Sequence, residues 1–267
     1  MPEPLSVVVP TFNEEANLRD CLASVRFADE VLVVDSFSTD GTIEIARAMA
    51  DRVLIHEYVD SASQKNWALP QTKHPWALLV DADERVTPEL REEIRRILRD
   101  GPKSTAYEIR RVNHFLGRRI RHGGWHNDRV IRLFRRDLHL YEPKRVHAEI
   151  EVPGPVPLLE HPLLHYTFRD FDQYLRKIDR YTRWGAEEAF RRGKRAGALE
   201  ILGHPAGRFV KMYLLRAGFL DGLPGLVLAM MASYSVFLKY VRLYELRLRE
   251  ERGEKIEIPE THAGPPR

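Results

Sequence analysis

The amino-acid sequence predicts an α/β fold in which a mostly parallel sheet is covered by helices on both faces. Short apolar runs alternate with stretches of helical periodicity through the first hundred residues, and this alternation is typical of parallel sheets. The strand-like runs are continuous in hydrophobicity, as in SVVVP at residues 6–10. Continuous apolar strands indicate burial on both faces.

The predicted elements of the first hundred residues follow in regular order. Strands are predicted at residues 6–10, 30–35, 53–56 and 76–80, and helices at residues 15–26, 42–50, 61–69 and 88–98. Thr87 can cap the last helix because its hydroxyl can accept a backbone N–H of the first turn, and Pro88 suits the first helical position.

The pattern changes from about residue 105. Strand-like segments follow, joined by loops rich in Arg, His, Gly and Trp, which predicts the mixed edge of the sheet and a region that faces substrate. The predicted strands are residues 106–112, 130–134 and 146–152.

The remainder of the chain is predicted to be helical. Residues 170–192 form an amphipathic pattern, and residues 205–249 are mostly apolar with scattered arginines. We therefore predict a catalytic domain over residues 1–168, a helical and membrane-associating region over residues 169–252, and a flexible tail over residues 253–267.

Composition narrows the class of protein. The chain has 267 residues, 43% of them hydrophobic, and one cysteine, Cys21. An intrachain disulfide framework is excluded, and we expect a reducing, cytoplasmic compartment. Residues 169–252 carry 17 Lys and Arg against 10 Asp and Glu. That excess suits anionic lipid or another polyanion, and a solvated helix face explains it equally well.

Polar residues follow three of the predicted strands. Thr11, Asn13 and Glu14 follow the first strand, Asp35 ends the second, and Asp81-Ala82-Asp83 follows the fourth. Ligands of open parallel sheets bind beyond the carboxyl ends of the strands. We therefore expect these groups to meet at one edge of the sheet.

The sequence LLVDADERV, residues 78–86, ends a strand on acids. Side chains at i and i+2 leave the same side of an extended segment, so Asp81 and Asp83 could converge on a divalent cation. Mg²⁺ or Mn²⁺ is the expected ion, because hard cations take carboxylates together with substrate phosphates. The simpler alternative is a solvated acidic loop.

The other strand-end residues suit a nucleotide. Asp35 could accept a hydrogen bond from a base or a ribose hydroxyl, and Lys65 could contact a phosphate. The complete set of predicted substrate-binding residues is Pro10, Thr11, Asn13, Glu14, Asp35, Ser36, Lys65, Asp81, Ala82, Arg129 and Arg132.

Several motifs together resemble a known family. The stretches VVVPTFNEEANLRDCLASV, DEVLVVDSFSTDGT, SQKNWAL and LLVDADERV are similar to those of inverting family 2 glycosyltransferases with the GT-A fold. NHFLGRRIRHGGW, DRVIRLFRR and LLHYTFRD resemble the lipopolysaccharide-core β-glucosyltransferase type. The resemblance implies a nucleotide-sugar donor, most often UDP-linked, and a divalent metal bound by Asp83 with help from Asp81.

Inverting transfer requires a base for the attacking hydroxyl. Many relatives have Val-His-Glu where this chain reads Val146-His147-Ala148-Glu149. The displaced acid would point to the opposite face of a strand, so we favour Asp128 as the base, with Glu149 as the second candidate. The alternative for Asp128 is a salt bridge with Arg129 or Arg132.

Further residues are candidate ligand contacts. His165 could bind the metal, as a matching histidine can in GT-A enzymes, although a structural role is also open. Lys144, Arg129 and Arg132 are candidate phosphate or acceptor contacts. Trp125 could stack on a sugar or pack in a core.

An apolar stretch at residues 223–238 is short for a membrane-spanning helix, which needs about 20 apolar residues. Flanking basic and aromatic residues suit a helix at a bilayer surface and a lipid-linked acceptor. The alternative is a helical appendage that packs on the catalytic domain or on a dimer partner. A homo-oligomer is left open, and no nucleic-acid partner is expected.

The predicted function is sugar transfer from a nucleotide sugar to a lipid-linked glycan, at the inner face of the cell membrane. Two other classes compete with it. One is a non-catalytic nucleotide-sugar-binding or membrane scaffold, and the other is a phosphatase with an aspartate nucleophile. The phosphatase is disfavoured because its D-x-D belongs on an early strand, whereas here the motif follows the fourth.

Overall fold

The computed structural model describes residues 2–138, 140–142, 149–167 and 171–258. Lys144 lies outside the described residues. So do Val146, His147 and Ala148 of the strand predicted at residues 146–152, and the end of the tail from residue 259. Within the described part of that predicted strand, Ile150 forms a single bridge with Tyr141.

The strands of the described residues form a mixed sheet in the order β3-β2-β1-β4-β8-β6-β9-β5, with β7 paired to β6. They are β1 Leu5–Thr11, β2 Glu30–Asp35, β3 Arg52–Ile55, β4 Trp76–Leu79, β5 Glu84–Val86, β6 Ala106–Phe115, β7 Arg118–Arg119, β8 Arg129–Arg135 and β9 Leu163–Thr167. Strands β1 to β4 are mutually parallel, and β8 joins β4 in antiparallel orientation. The predicted mixed sheet is thus confirmed.

Helices alternate with the first strands and dominate the second half. They are α1 Glu15–Val25, α2 Thr42–Met49, α3 Ser61–Ala68, α4 Pro88–Asp100, α5 Phe171–Arg191, α6 Ala198–Val210 and α7 Gly222–Glu251. The predicted cap of α4 is present, because Thr87 Oγ1 accepts the backbone N–H of Leu90 at 3.2 Å. Asp60 and Ser63 form a capping box at the start of α3, which was not among the predicted features.

Both faces of the parallel strands are buried, as the continuous apolar runs predict. Val7 and Val9 pack into one hydrophobic cluster with residues of α1 and α4. Val8 points the other way and packs into a second cluster with residues of α3. Successive side chains of a strand alternate between faces, so one strand supplies both clusters. Burial of β1 on both faces therefore fixes its register. Its carboxyl end lies at the same end of the sheet as those of the parallel strands β2 and β4.

Two compact units divide the chain. The first comprises described residues of 2–112 and 127–165 and contains the parallel strands. The second comprises described residues of 113–126 and 166–258 and contains α5, α6 and α7. The predicted domain boundary near residue 168 stays a prediction, since compactness alone does not show which segment folds independently.

Candidate active site

The carboxyl ends of β1 and β2 are joined by hydrogen bonds. The backbone N–H of Asn13 donates to Ser38 Oγ at 2.8 Å, and Asn13 Oδ1 accepts the backbone N–H of Thr39 at 2.8 Å. Asn13 has φ of 54°, a left-handed conformation that Asn tolerates better than most residues. Glu14 joins the same connection, because its N–H donates to Thr42 Oγ1. The two predicted strand ends thus form one rigid rim.

Three predicted nucleotide contacts lie at this rim. Asp35 is buried and accepts the backbone N–H of Ser38 at 2.8 Å. Ser36 Oγ accepts Gln64 Nε2 of α3. Thr11 Oγ1 is buried and has no hydrogen-bond partner among the described residues. A buried hydroxyl without a partner is costly, so Thr11 is suited to contact a bound ligand.

Residues 81–83 form a turn after β4, not the end of an extended strand. The backbone N–H of Glu84 donates to the Asp81 carbonyl at 2.8 Å, and the Asp81 N–H donates to Glu84 Oε2 at 2.9 Å. The i and i+2 geometry of a strand therefore does not describe Asp81 and Asp83. The two carboxylates meet different partners.

Asp81 is surrounded by cations. Its carboxylate forms a very short ion pair with Arg132, and Lys65 Nζ lies 3.5 Å from Asp81 Oδ1. Burial opposes ionisation of this carboxyl, but Arg132, Lys65 and Arg111 outweigh it and hold the pKa of Asp81 well below its usual range. Asp81 is therefore ionised at neutral pH and its charge is compensated by the protein.

Glu84 connects Asp81 to a second acid. Its buried Oε1 accepts Arg132 Nη2 at 2.7 Å and Arg111 Nη1 at 3.3 Å. Arg111 also donates from Nε and Nη2 to the two carboxylate oxygens of Asp128, each at 2.9 Å. Burial opposes the charge on Arg132, yet the neighbouring carboxylates raise the pKa of Arg132 well above its ordinary value. The result is a charge-balanced, largely buried network.

Asp83 faces His165 instead. Asp83 Oδ2 lies 3.4 Å from His165 Nε2, and both side chains are mostly buried. The pairing of β5 with β9 places these groups together, because His165 is directly opposite Glu84 in the antiparallel ladder. Both residues are predicted metal ligands, and the structure places their side chains next to each other.

The other predicted residues are distributed around this site. Ala82 packs into the hydrophobic core below the turn, and Pro10 pairs with Val34 within the sheet. Arg129 is exposed at the start of β8. Glu149 is exposed as well, and its backbone carbonyl accepts the N–H of Glu142. Among the described residues, no hydrogen bond connects the Glu149 side chain to the acidic network.

Trp125 belongs to the second unit. It packs with Phe115, Ile120 and Leu228 in a hydrophobic cluster of that unit. This packing matches the core alternative for Trp125.

One member of the network, Arg111, was not predicted to be functional. Arg111 lies on a predicted strand but received no role, and the expected partners of Asp128 were Arg129 or Arg132. Arg111 is the ion-pair partner that the structure shows, whereas Arg132 binds Asp81 and Glu84. A signal was present, since a charged residue two positions after buried Ile109 shares its face of the strand.

The parallel strands, the rim of polar strand ends and the acidic turn after β4 define a GT-A type α/β protein, and comparison with known proteins agrees. A mannosyltransferase from Pyrobaculum calidifontis, solved in complex with GDP-Man and Mn²⁺, superposes with a TM-score of 0.51. It is 17% identical, and the match covers 92% of this chain and 88% of that one. At this identity the likeness shows the fold.

Sequence comparison identifies the family. The family model described as glycosyl transferase family 2 matches residues 6–150, more than half of the chain. The chain therefore belongs to glycosyl transferase family 2, and the protein is a glycosyltransferase.

Relatives match along nearly the whole chain. The lipopolysaccharide core biosynthesis glycosyltransferase LpsC of Rhizobium meliloti is 29% identical over 249 residues, covering 91% of this chain and 92% of the relative. An uncharacterized glycosyltransferase of Rickettsia typhi is 26% identical over 264 residues, covering 92% of this chain and 88% of the relative. The similarity thus extends beyond the family-model match into the helical second half.

Proposed function

We propose that this glycosyltransferase transfers a hexose from a nucleotide diphosphate sugar, with UDP as the expected nucleotide, to a lipid-linked glycan of the lipopolysaccharide-core type. The transfer inverts the anomeric carbon and depends on Mg²⁺ or Mn²⁺. The name of the R. meliloti relative supports the acceptor class, and the GDP-Man and Mn²⁺ in the P. calidifontis structure support the donor class and the metal.

The observation that carries this proposal is that the two aspartates after β4 meet different side chains. Arg132 and Lys65 compensate Asp81, whereas Asp83 faces a histidine. A carboxylate that is already held by two cations gains little from a metal ion. Asp83 lies beside an imidazole nitrogen, which is a second atom able to ligate a divalent ion.

Asp83 and His165 fit as two ligands of one ion. Ligand atoms lie about 2.1 Å from Mg²⁺ in octahedral geometry, so adjacent ones are about 3 Å apart, close to the 3.4 Å between Asp83 Oδ2 and His165 Nε2. Among the described residues, no group of three His, Cys, Asp or Glu side chains forms a metal site. Donor phosphates and water would complete the coordination, as is usual for Mg²⁺. The bound ion would supply positive charge to the departing diphosphate.

Protein residues at the rim would hold the nucleotide. The Thr11 hydroxyl is suited to accept a hydrogen bond from the base or ribose, or to donate one to it. Asp35 lies opposite Thr11 in the register of β1 and β2. Lys65 is buried with its ammonium 5.1 Å from the centre of the Tyr141 ring and 3.5 Å from Asp81. These positions leave the ammonium near the turn where a phosphate would bind.

The chemical step is a displacement at the anomeric carbon. The oxygen of the acceptor hydroxyl forms a bond to that carbon, the bond to the phosphate oxygen breaks, and the diphosphate leaves with the electron pair. The hydroxyl proton passes to Asp128 in our assignment, with Glu149 as the second candidate. Arg111 also contacts Glu84, so its charge stays compensated after Asp128 is protonated.

A peripheral location at the cytoplasmic face of the cell membrane suits such an acceptor. Residues 218–251 form a helix that could cross a membrane by length and composition, with a mean hydropathy of 1.4 over its most apolar window. It agrees with the membrane-associating region expected over residues 169–252.

Ligand-induced stabilisation tests the proposal. A ligand that binds the folded state raises the melting temperature by mass action. We expect UDP or GDP with Mn²⁺ to raise it, EDTA to abolish the rise, and one UDP-sugar to release UDP when a lipid-linked acceptor is added. If no nucleotide shifts the melting temperature, the donor site is disproved, and the alternative function as a membrane scaffold remains. Release of inorganic phosphate from the sugar nucleotide would instead indicate a phosphatase.

A further inference from the structure

The most exposed large apolar side chains of the described residues lie in one stretch, residues 199–223. Leu199, Leu202, Leu215 and Leu223 are each between 70% and 85% exposed. Val210, Leu214, Phe219 and Leu220 of the same stretch are also exposed. We call residues 199–223 the apolar segment.

The apolar segment is held in place by contacts within the second unit. Met212 is buried, and Gly218 approaches it so closely that an added Cβ would lie 2.6 Å from the Met212 carbonyl oxygen. The backbone N–H of His122 donates to Asp221 Oδ2 at 2.7 Å. Its exposed leucines are therefore presented by an ordered backbone, which distinguishes them from side chains of a loose loop.

Such exposure is unusual for a surface that meets only water. Single exposed apolar residues are common, but clustered ones mark sites that bind a protein, a ligand or a membrane. Leu199 and Leu202 are three residues apart on α6 and so share a helix face. The remaining members lie where α6 ends and α7 begins.

The charges of the apolar segment favour an anionic bilayer over another protein. Arg208, Lys211 and Arg216 are all exposed within it. Of its two acids, Asp221 is mostly buried and bound to backbone N–H groups. Basic residues next to exposed leucines and aromatic rings are typical of segments that lie in the lipid headgroup region.

The length of α7 favours surface docking over spanning. Its uncharged part, from Gly222 to Leu238, has 17 residues, or about 25 Å at 1.5 Å per residue. The hydrocarbon core of a bilayer is about 30 Å thick. Beyond this part, Arg242 forms an ion pair of 2.5 Å with Asp179 on α5, an arrangement suited to water.

We propose that the apolar segment docks into an anionic membrane surface, with its leucines in the acyl boundary and Arg208, Lys211 and Arg216 among the headgroups. This inference specifies where the chain meets the membrane. It rests on the proposed function, because a lipid-linked acceptor would require such docking. It places the contact at the junction of α6 and α7, which shares only Leu223 with the stretch at residues 223–238 that hydropathy emphasised.

Vesicle sedimentation tests this surface with the full chain. We compare vesicles of 30% phosphatidylglycerol in phosphatidylcholine with pure phosphatidylcholine. We expect the wild type to bind the anionic vesicles, and the double variant Leu215→Ser/Leu223→Ser to bind at least tenfold more weakly. The matched control is Leu138→Ser/Leu140→Ser, which removes two leucines of the first unit that are 56% and 49% exposed. We expect the control to bind as the wild type does.

Three outcomes would overturn the proposal. Binding of the Leu215/Leu223 variant at wild-type strength would show that the segment does not dock. Retention of the wild type on vesicles after alkaline carbonate extraction would indicate a spanning helix. If the wild type does not bind vesicles and the two substitutions convert a dimer into a monomer, the apolar segment binds a second copy of the chain instead. The thermal shift with UDP and Mn²⁺ should be the same in all variants, so failure of docking is separable from failure of the donor site.

Discussion

Glu84 Oε2 accepts the backbone N–H of Asp81 at 2.9 Å, so a fully buried acid closes the turn that presents Asp83. The other oxygen of Glu84 binds Arg132 and Arg111. One side chain thereby fixes the backbone of the acidic turn and two of the cations around it. Glu84 is a positioning residue, since it acts through Asp81, Arg111 and Arg132.

The first prediction concerns the stability contributed by Glu84. Glu84→Gln leaves Arg132 and Arg111 with one fewer charge partner in a buried network, and loss of one partner of a buried ion pair costs about 3 kcal/mol. We expect the free energy of unfolding, measured by chemical denaturation, to fall by about this amount. Glu92→Gln on the exposed side of α4 is the control, and exposed ion pairs contribute less than about 1 kcal/mol. Equal effects of the two substitutions would contradict the role of Glu84.

The second prediction separates Asp83 from Asp81. Asp83→Asn removes a proposed metal ligand beside His165, so we expect loss of the Mn²⁺-dependent thermal shift with UDP. Asp81→Asn leaves Arg132 and Lys65 undercompensated, so we expect a lower melting temperature even without ligand. Titration of both variants with Mn²⁺ by calorimetry checks the assignment. Normal Mn²⁺ binding by Asp83→Asn would disprove Asp83 as the ligand.

The strand positions could be predicted from sequence because burial on both faces leaves a local mark. Residues 31–34 are continuously apolar, and the structure has β2 at Glu30–Asp35 as predicted. The short β5 was missed, because three residues with two charges, Glu84 and Arg85, carry no apolar pattern.

The site could be predicted in part, for a different physical reason. Strand ends share an edge by topology, so the rim and the position of Asp81 and Asp83 after β4 were foreseeable, whereas the turn at residues 81–83 was not. The ion pairs were not, because Arg111 of β6 and Glu84 of β5 are 27 residues apart, and their strands are separated by β9 in a sheet order that no local pattern encodes. Asp128 therefore forms its ion pair with Arg111, and not with the predicted partners Arg129 or Arg132.

The third prediction tests Asp128 as the base. Removal of a general base lowers turnover by about 10²–10⁴-fold. We expect Asp128→Asn to show a loss of this size in kcat while its thermal shift with UDP and Mn²⁺ is retained, since the amide keeps one acceptor for Arg111. Glu149→Gln is the comparison variant. Near-normal turnover in Asp128→Asn together with a large loss in Glu149→Gln would transfer the role to Glu149.

The fourth prediction concerns acid stability. Burial opposes ionisation of Glu30, but hydrogen bonds from the Lys73 backbone, Ser6 and Arg52 lower the pKa of this carboxyl, and Arg132 does the same for Asp81. A carboxyl whose pKa is lower in the folded state makes the unfolded state bind more protons, so stability falls as the pH falls.

We expect the free energy of unfolding to decrease from about pH 5 downward, since unfolded Asp and Glu titrate near pH 4. The slope should be smaller in Glu30→Gln, because one of the shifted carboxyls is absent. Urea unfolding at several pH values measures both slopes. Parallel slopes in the wild type and the variant would show that Glu30 does not contribute.

The fifth prediction contrasts two glycines of the second unit. A Cβ on Gly225 would lie 1.9 Å from the Gly218 carbonyl oxygen, a backbone atom that cannot rotate away. Gly203 is exposed on α6, and a Cβ there would meet nothing within 4 Å. Overpacking of this kind costs about 1–3 kcal/mol or more, whereas Gly to Ala at an exposed helical site gains up to about 1 kcal/mol. We therefore expect Gly225→Ala to lower the melting temperature and Gly203→Ala to raise it.

The comparison also tests the backbone that presents the exposed leucines, because Gly225 fixes the start of α7 against Gly218. If both substitutions shift the melting temperature in the same direction, the close approach of α7 to Gly218 is wrong.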